Sequence, residues 1–388
     1  MNPLLSIVIP TKNRYSTLFP VVETLLNNII GDSYEIIIQD NSDDNSIAIE
    51  NLKIINDCKV KYFHCNNYLS VTENSNLAIS KAKGKYVTFI GDDDLVSPFI
   101  LEVVNIMEKE KIQSLNYPKG NYYWPNLTFT KKYGFNQPAS LQIPKPLSLI
   151  CKKKSVEKEL NKVFSSGGIY IYDLPCLYHG VTRKDILEKV KQKFRTYVPG
   201  ASPDMAIAMA LASILQEFHR IDYPVTITGA STKSAAGLGV KDAHIAKIED
   251  VSWLPKQIVK NWDKNVPAIW TGPTIYAQTI HEVLTFCKIK NRINYSKLYA
   301  HIYLYNRSIR KDIIPYIKNN SKDFSHLQLV KLKLRSAAKL VIWNSPSLIL
   351  NILIRLRGDY KKKSHIENIS NVNQCMQYLL ENTNPKKL

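Results

Sequence analysis

Three adjacent carboxylates, Asp92, Asp93 and Asp94, follow the apolar, β-rich segment 86–90 after a single residue, Gly91. Burying carboxylates without partners is costly, so this triplet must meet solvent, cations or both. Oxygen ligands at the end of a strand suit Mg²⁺ or Mn²⁺, and such an ion in turn suits a diphosphate. The residues alone leave a second interpretation open, a solvated acidic turn.

A further carboxylate, Asp204, stands in a sequence that predicts the start of a helix. Ser202 is of the residue type preferred at the N-cap and Pro203 of the type preferred at the first helical position, which puts Asp204 in the first turn. The helix dipole favours an ionised carboxylate there, and an ionised carboxylate can accept a proton. The alternative is an end charge that only stabilises the helix.

Apolar runs of strand length alternate with helical patterns in the first part of the chain. The alternation predicts a mainly parallel α/β sheet flanked by helices, with ligands bound beyond the carboxyl ends of the strands. Polar clusters at 11–14, 40–44 and 92–94 follow three predicted strands, so we expect them to meet at one edge of the sheet. Strands are predicted at 4–10, 34–39, 60–63, 86–90 and 223–229, and helices at 18–29, 72–83 and 98–109.

The order of these motifs resembles the nucleotide-sugar-binding half of family-2-type glycosyltransferases with the GT-A fold, of the bacterial surface-polysaccharide type. The resemblance covers residues 4 to about 110 and thins out beyond them. Four pieces in the family's order carry it: SIVIPTKNR at 6–14, IQDNSDD at 38–44, Asn76 with KGKYV at 83–87, and GDDD at 91–94.

The resemblance implies a donor site for a nucleotide sugar, most simply a UDP-sugar, with Mn²⁺ or Mg²⁺ as the cofactor. The metal ligands would be Asp94 and Asp92, and the ion would neutralise charge on the departing nucleotide. Asp40 would accept a hydrogen bond from the nucleobase. The full donor-binding set implied is Pro10, Thr11, Arg14, Asp40, Asn76, Lys83, Asp92 and Asp93.

The resemblance also implies Asp204 as the catalytic base of an inverting transfer, a direct displacement at the anomeric carbon. His179 would orient the acceptor, unless it is only a structural hydrogen-bonding residue. The small residues of 229–237 predict a mobile loop over the donor, with Ser231 and Lys233 as lid residues. Four aromatic residues suit either sugar stacking or core packing: Tyr117, Tyr122, Tyr123 and Trp124.

Length and charge predict two parts in this chain of 388 residues. We expect a GT-A catalytic domain over 1–240, with a nucleotide-sugar-binding half at 1–110 and an acceptor-binding half at 111–240, and a mostly helical basic region over 241–388. The net charge is +19, yet the first 100 residues hold 8 Lys and Arg against 12 Asp and Glu, while the last 88 hold 16 against 5.

The basic C-terminal region has two interpretations. Its apolar stretches flanked by Lys, Arg and Trp, at 329–363, suit the surface of an anionic membrane. Alternatively they form a helical domain that packs on itself or on a second copy in a homodimer. Pro346 and the interspersed charges argue against a transmembrane helix.

Several other classes of protein are disfavoured. The chain has no Walker-type loop, no glycine-rich dinucleotide motif after the first strand, and no nucleic-acid recognition motif beside its basic charge. Six scattered cysteines predict reduced thiols, and no secretory leader is apparent, so we expect a cytoplasmic protein, peripheral on the inner face of the cell membrane. The cysteines are Cys58, Cys65, Cys151, Cys176, Cys287 and Cys375.

These observations predict a metal-dependent inverting glycosyltransferase, a hexosyl- or N-acetylhexosaminyltransferase. It would transfer a sugar to a glycan or lipid-linked glycan acceptor in the synthesis of capsule, O-antigen or another bacterial surface polysaccharide. Two alternatives stay open: a non-catalytic GT-A-like scaffold in a glycan-assembly complex, and, ranked lower, a basic nucleic-acid-binding protein.

Overall fold

The computed structural model describes residues 2–129, 137–240, 245–319, 334 and 363–387. Within them the chain forms one large and one smaller mixed sheet and a two-stranded ribbon, with helices packed around the sheets. The predicted α/β class, a large sheet flanked by helices, is confirmed.

The strands fall in two sheets and a ribbon. They are β1 (Leu5–Thr11), β2 (Tyr34–Asp40), β3 (Val60–His64), β4 (Tyr86–Phe89), β5 (Leu95–Val96), β6 (Ser114–Asn116), β7 (Gly120–Tyr123), β8 (Ser140–Pro144), β9 (Ser148–Ser155), β10 (Val181–Arg183), β11 (Glu217–Asp222), β12 (Thr226–Ala230), β13 (Ala246–Lys247), β14 (Ile269–Trp270) and β15 (Lys363–Ile366).

The α-helices lie between and beyond these strands, with short 3-10 turns at 248–250, 307–309 and 385–387. They are α1 (Tyr15–Asn28), α2 (Ser46–Ile55), α3 (Val71–Lys81), α4 (Ile100–Lys109), α5 (Val156–Ser165), α6 (Lys184–Phe194), α7 (Pro203–Ala212), α8 (Ala235–Val240), α9 (Lys256–Lys260), α10 (Gly272–Phe286), α11 (Tyr295–Tyr305), α12 (Arg310–Asn319) and α13 (Val372–Asn382).

The large sheet has the strand order β3-β2-β1-β4-β10-β6-β11-β9. The first four strands are parallel and match the predicted ones, with Ile7 of β1 opposite Ile36 of β2 and Thr88 of β4. Their apolar runs follow from burial, because β1, β2 and β4 are covered on both faces. Antiparallel β10 and β9 escaped prediction, since β10 has three residues and β9 is a lysine-rich edge strand.

A buried carboxylate fixes β4 beside β1 at the amino ends of the strands. Glu35 accepts hydrogen bonds from the Ser6 hydroxyl at 2.6 Å and from the backbone N–H of Lys83 at 2.7 Å. The N–H of Gly84 donates to the Ser6 hydroxyl at 2.7 Å, and a Cβ on Gly84 would overlap the backbone of Ser6. Lys83 and Gly84 therefore lie at the edge of the sheet opposite the acidic triplet.

The smaller sheet, β15-β8-β7-β12-β5, brings the C-terminal residues onto the body of the molecule. Strand β15 pairs antiparallel with β8, and α13 packs on α1. Thr24 of α1 donates its hydroxyl to the Asn373 side chain at 2.7 Å, and the Tyr223 hydroxyl donates to the carbonyl of Thr383 at 2.9 Å. Residues 363–387 thus complete the core that contains β1.

The two-part division at residue 240 stays a prediction for the chain as a whole, and most of the proposed membrane-surface segment 329–363 lies outside the described residues. Among the residues the structure describes, no helix is both long and apolar enough to span a bilayer. All six cysteines are free thiols.

The burial of α13 predicts that its core residues stabilise the whole N-terminal core. Leu379→Ala removes a side chain with no exposed surface and should lower the free energy of unfolding by about 2–5 kcal/mol. Leu380→Ala, at the partly exposed neighbouring position, should cost less than half as much. Urea denaturation followed by circular dichroism measures both, and an unshifted main transition in Leu379→Ala would show that α13 unfolds separately.

Candidate active site

A cavity of about 720 Å³ opens at the carboxyl ends of β1, β4 and β12. The first polar cluster contributes Thr11, Lys12 and Arg14 to its lining, and the acidic cluster contributes Asp92 and Asp93. As predicted, residues of these clusters meet at one edge of the sheet. The cluster at 40–44 contributes one lining residue, Asn41, which follows β2.

Two carboxylates of the triplet share one guanidinium. Arg14 places Nη1 2.8 Å from Asp92 and Nη2 2.9 Å from Asp93. Thr11 donates its hydroxyl to Asp92 at 2.6 Å, while Ser231, in the loop after β12, donates its hydroxyl to Asp93 at 2.7 Å. Asp92 and Asp93, in the loop after β4, therefore connect that loop to the loops after β1 and β12.

The third carboxylate, Asp94, is directed into the protein. It accepts backbone N–H groups from Gly91 and Gly229, each at 2.6 Å, and the Tyr178 hydroxyl at 3.2 Å. The imidazole Nε2 of His179 lies 3.2 Å from the same carboxylate. Asp94 is fully engaged by the protein, and it does not line the cavity.

His179 is a buried positioning residue in this arrangement. Its backbone has a left-handed φ of 57°, and its Nδ1 lies 2.9 Å from the Thr226 hydroxyl of β12. The side chain is 1 % exposed, so the predicted contact with an acceptor would require it to leave Asp94. The structural alternative considered for His179 matches its surroundings better.

The three neighbouring carboxyl groups differ in acidity because their surroundings differ. Burial raises the pKa of Asp92 to about 7 even though Arg14 opposes the shift, and burial also raises the pKa of Asp93. Burial alone would raise the pKa of Asp94 too, but His179 and the N–H groups of Gly229 and Gly91 outweigh it and lower that pKa. On the cavity side, Asp92 and Asp93 thus share a single guanidinium, that of Arg14.

Asp92 and Asp93 fit a divalent cation better than Asp94 does. The Oδ1 atom of Asp92 is buried and forms an ion pair with Arg14, but it accepts no hydrogen bond. A cation could therefore serve as its additional partner. In the described part of the chain no three His, Cys, Asp or Glu side chains gather around one point. A Mg²⁺-type ion held by one or two carboxylates would complete its coordination with water and phosphate oxygens.

Asp204 lines the same cavity from the first turn of α7, where the sequence predicts it. Its carboxylate accepts the hydroxyl groups of Ser202 and Tyr276 and, at 2.9 Å, the N–H of Met205. Burial and the adjacent Asp204 charge raise the pKa of Tyr276 well above its usual range, so Tyr276 remains a hydrogen-bond donor. These donors hold the carboxylate in one orientation.

The remaining predicted donor residues are divided between the cavity and the interior. Pro10 and Lys233 line the cavity, as Thr11 and Arg14 do. Asp40 is fully buried, and its carboxylate accepts the hydroxyls of Tyr15 at 2.5 Å and Tyr62 at 2.7 Å. Its other oxygen accepts the backbone N–H of Ser42 at 2.8 Å, and Asp40 does not line the cavity.

Asn76 and Lys83 do not line the cavity. The Asn76 side-chain oxygen accepts hydrogen bonds from the Thr196 hydroxyl and the Tyr197 backbone, both at 2.8 Å, which joins α3 to the segment before α7. Lys83 is exposed at the opposite edge of the sheet. The donor contact that the resemblance implies for these two residues has no geometric support in this structure.

The aromatic lining comes from residues that the sequence did not single out. Tyr117, Tyr122 and Trp124 are buried in the core, and the Trp124 indole donates to the carbonyl of Asp93 at 3.0 Å. The cavity is lined instead by aromatic residues from other segments: Tyr68, Phe89, Tyr178, Trp253, Trp270 and Tyr276.

A partly buried glutamate supports the loop that carries Asp204. Glu282 of α10 accepts the Gln278 side-chain N–H at 3.0 Å, and its backbone partner is Ala201. Its second oxygen is buried without a hydrogen-bond partner. Burial therefore raises the pKa of Glu282 from 4.5 to about 7.

This raised pKa predicts a pH-dependent stability. A carboxyl that binds its proton more tightly in the folded state stabilises the fold below pH 4.5, and that contribution is lost as the pH rises to about 7. Glu282→Gln removes the charge, so its free energy of unfolding relative to the wild type should rise by ~1–3 kcal/mol between pH 4.5 and 8. Denaturation at several pH values measures this, with exposed Glu50→Gln as the control; a pH-independent difference would contradict it.

The N-terminal part of the chain is similar in sequence to known proteins. Residues 6–162 match the model of glycosyl transferase family 2. The glycosyltransferase GlyG of Streptococcus pneumoniae is 32% identical over 123 residues, which are 32% of this chain and 40% of that protein. A GalNAc(5)-diNAcBac-PP-undecaprenol beta-1,3-glucosyltransferase of Campylobacter jejuni is 36% identical over 94 residues, 24% of this chain and 30% of that protein.

A solved structure, S. aureus TarS 1–349 in complex with UDP-GlcNAc, aligns over 97% of this chain and 91% of that chain, with a TM-score of 0.48 and 13% identity. The chain spans less than half the length of the curated relatives it matches. The resemblance inferred from the N-terminal motifs is confirmed by the match of residues 6–162 to the model of glycosyl transferase family 2.

Proposed function

We propose that this protein is a divalent-metal-dependent, inverting glycosyltransferase that uses a nucleotide-diphosphate sugar. One observation carries the proposal: a cluster suited to a cation and a diphosphate, Asp92, Asp93 and Arg14, and a separate carboxylate suited to proton abstraction, Asp204, line one cavity. The family match of residues 6–162 makes sugar transfer the reaction that such a cavity would serve.

The donor diphosphate would bind at the end of the cavity where charged groups gather. Lys12, Arg14 and Lys233 supply positive charge there, and Asp92 and Asp93 would hold Mg²⁺ or Mn²⁺. Such an ion supplies stabilisation of the negative charge on the departing nucleotide. Because Arg14 pairs with both carboxylates, it would turn toward the phosphate oxygens when the cation takes its place.

Asp204 would act as the general base. Its carboxylate lines the cavity, and Ser202 and Tyr276 fix its orientation, so an acceptor hydroxyl beside it could transfer its proton as the oxygen attacks the anomeric carbon. Direct attack from the face opposite the nucleotide inverts the configuration at that carbon. No covalent sugar–enzyme intermediate is needed.

The acceptor would be a glycan or a lipid-linked glycan in surface-polysaccharide synthesis. The C. jejuni relative acts, by its name, on an undecaprenol-linked glycan, and a putative colanic acid biosynthesis glycosyl transferase of Escherichia coli is 28% identical over 142 residues. The C-terminal charge, 16 Lys and Arg against 5 Asp and Glu in the last 88 residues, favours a cytoplasmic protein on an anionic membrane surface. Dimerisation through the same region is the alternative use.

The role of Asp204 predicts a selective loss of transfer. Asp204→Asn keeps the shape of the side chain but cannot take a proton, so kcat should fall at least ~100-fold while nucleotide-sugar affinity is retained. Asp185→Asn is the matched control, since Asp185 also stands in the first turn of a helix, α6, but does not line the cavity. Sugar transfer and calorimetric donor binding measure the two effects; near-wild-type transfer in Asp204→Asn would exclude this residue as the base.

The cation site predicts that metal and donor binding are linked through Asp92. Titration of UDP-glucose, UDP-galactose, UDP-N-acetylglucosamine, UDP-N-acetylgalactosamine and GDP-mannose should reveal a donor whose affinity Mn²⁺ increases. In Asp92→Asn that increase should shrink by roughly tenfold or more, because one cation ligand is lost. Exposed Asp43→Asn should keep it, and a full Mn²⁺ effect in Asp92→Asn would place the ion elsewhere.

A further inference from the structure

The cavity has a second wall whose chemistry differs from the charged end. Trp253 and Trp270, both partly exposed, line it together with the apolar side chains of Leu238 and Ile275. Neither indole belongs to the segment matched by the family model, which ends at residue 162.

Local packing holds the two indoles in place. Trp270 ends β14, which pairs with β13 so that Trp270 lies opposite Ala246, and Trp253 follows the 3-10 turn at 248–250. Their ring centroids are 5.1 Å apart with an interplanar angle of 77°. Both pack against a small separate apolar cluster, so their exposed faces are held before any ligand arrives.

Hydrogen bonds connect this wall to the opposite rim of the cavity. The backbone N–H of Val71, at the start of α3, donates to the carbonyl of Trp253 at 3.3 Å. The Tyr68 hydroxyl donates to the carbonyl of Ser252, and Lys12 lies over the Tyr68 ring at 4.4 Å from its centroid. The position of the indoles relative to the charged end is thereby fixed.

The segment that carries Trp270 also carries the residue that orients the base. Helix α10 begins at Gly272, two residues beyond Trp270, and Tyr276 in the same helix donates its hydroxyl to Asp204. A Cβ on Gly272 would meet no atom within 4 Å, which leaves open space beside the indole. A ligand on the indoles would share one cavity with Asp204.

A partly exposed pair of indoles that shares a cavity with a carboxylate and hydroxyl groups matches a pyranose ring, whose C–H side is apolar and whose rim is polar. A polyprenyl chain would gain nothing from Asp204 and Tyr276, and a diphosphate would be drawn to the cationic end. We infer that Trp253 and Trp270 form an acceptor subsite that stacks a pyranose ring and presents one of its hydroxyls to Asp204. The inference rests on the proposed function, since it names the substrate of the same cavity.

Ligand-observed NMR tests the subsite without requiring transfer. Saturation-transfer spectra of methyl β-glycosides of glucose, galactose, N-acetylglucosamine and N-acetylgalactosamine would be recorded with the full chain. The variants are Trp253→Leu and Trp270→Leu, which keep apolar volume but remove the ring face. Trp262→Leu is the matched control, because Trp262 belongs to the same apolar cluster but does not line the cavity.

At least one glycoside should show saturation at its ring C–H protons with the wild type, and its affinity should fall roughly three- to tenfold in each cavity variant and stay unchanged in the control. Melting temperatures of the three variants identify any loss of affinity that is caused by unfolding. Equal glycoside affinity in all variants, or no glycoside signal with the wild type, would overturn the subsite.

Nucleotide-sugar titrations on the same samples separate this inference from the proposed function. Retained donor affinity in both cavity variants supports an acceptor role. Loss of donor affinity with intact glycoside binding would assign the indoles to the donor and overturn the inference. If the wild type binds no nucleotide sugar while the glycoside result holds, the subsite stands and the proposed transfer reaction fails.

Discussion

The burial of three consecutive carboxylates is the constraint on which the rest of the site depends. Asp92, Asp93 and Asp94 are 2%, 4% and 1% exposed, and each would be costly without partners. The partners come from segments far apart in the sequence: the loop after β1, the turn at 178–179 and the loop after β12. Balancing this charge therefore draws together the loops that form the cavity.

Chemically identical neighbours acquire different roles through this arrangement. Asp94 receives backbone N–H groups and faces His179, which lowers its pKa and makes it an internal anchor. Asp92 and Asp93 depend on the single guanidinium of Arg14, so excess negative charge remains where the cavity begins. Under the proposed function, a divalent cation in the cavity would therefore bind these two residues.

Local signals made part of this structure predictable. The apolar runs of β1, β2 and β4 and the capping pattern before Asp204 depend on nearby residues, and the structure has each where it was expected. The surroundings of Asp94, Asn76 and Lys83 depend instead on contacts with residues 48 to 135 positions away, which no local pattern encodes.

The aromatic residues show the same limit. A cluster at 117–124 and a pair at 253 and 270 are equally compatible with sugar stacking in the sequence, yet three members of the first are buried and the second lines the cavity. Whether an aromatic ring is buried or lines the cavity depends on which elements of the fold cover it, and the local sequence does not encode that. Composition and spacing could therefore identify the class of site but not its walls.

The cavity is lined by two portions of the chain, the segment matched by the family model and residues beyond it. The segment matched by the family model provides Thr11, Arg14, Asp92 and Asp93, the groups suited to a diphosphate and its cation. Asp204 and the walls contributed by 252–276 come from beyond that segment. Tyr276 donates to Asp204 and lies six residues beyond Trp270, so α10 joins the wall proposed for the acceptor to the carboxylate proposed as the base. Under the proposed function, acceptor choice and proton transfer would therefore be coupled through α10, whereas the charged end is built on the strands of the large sheet.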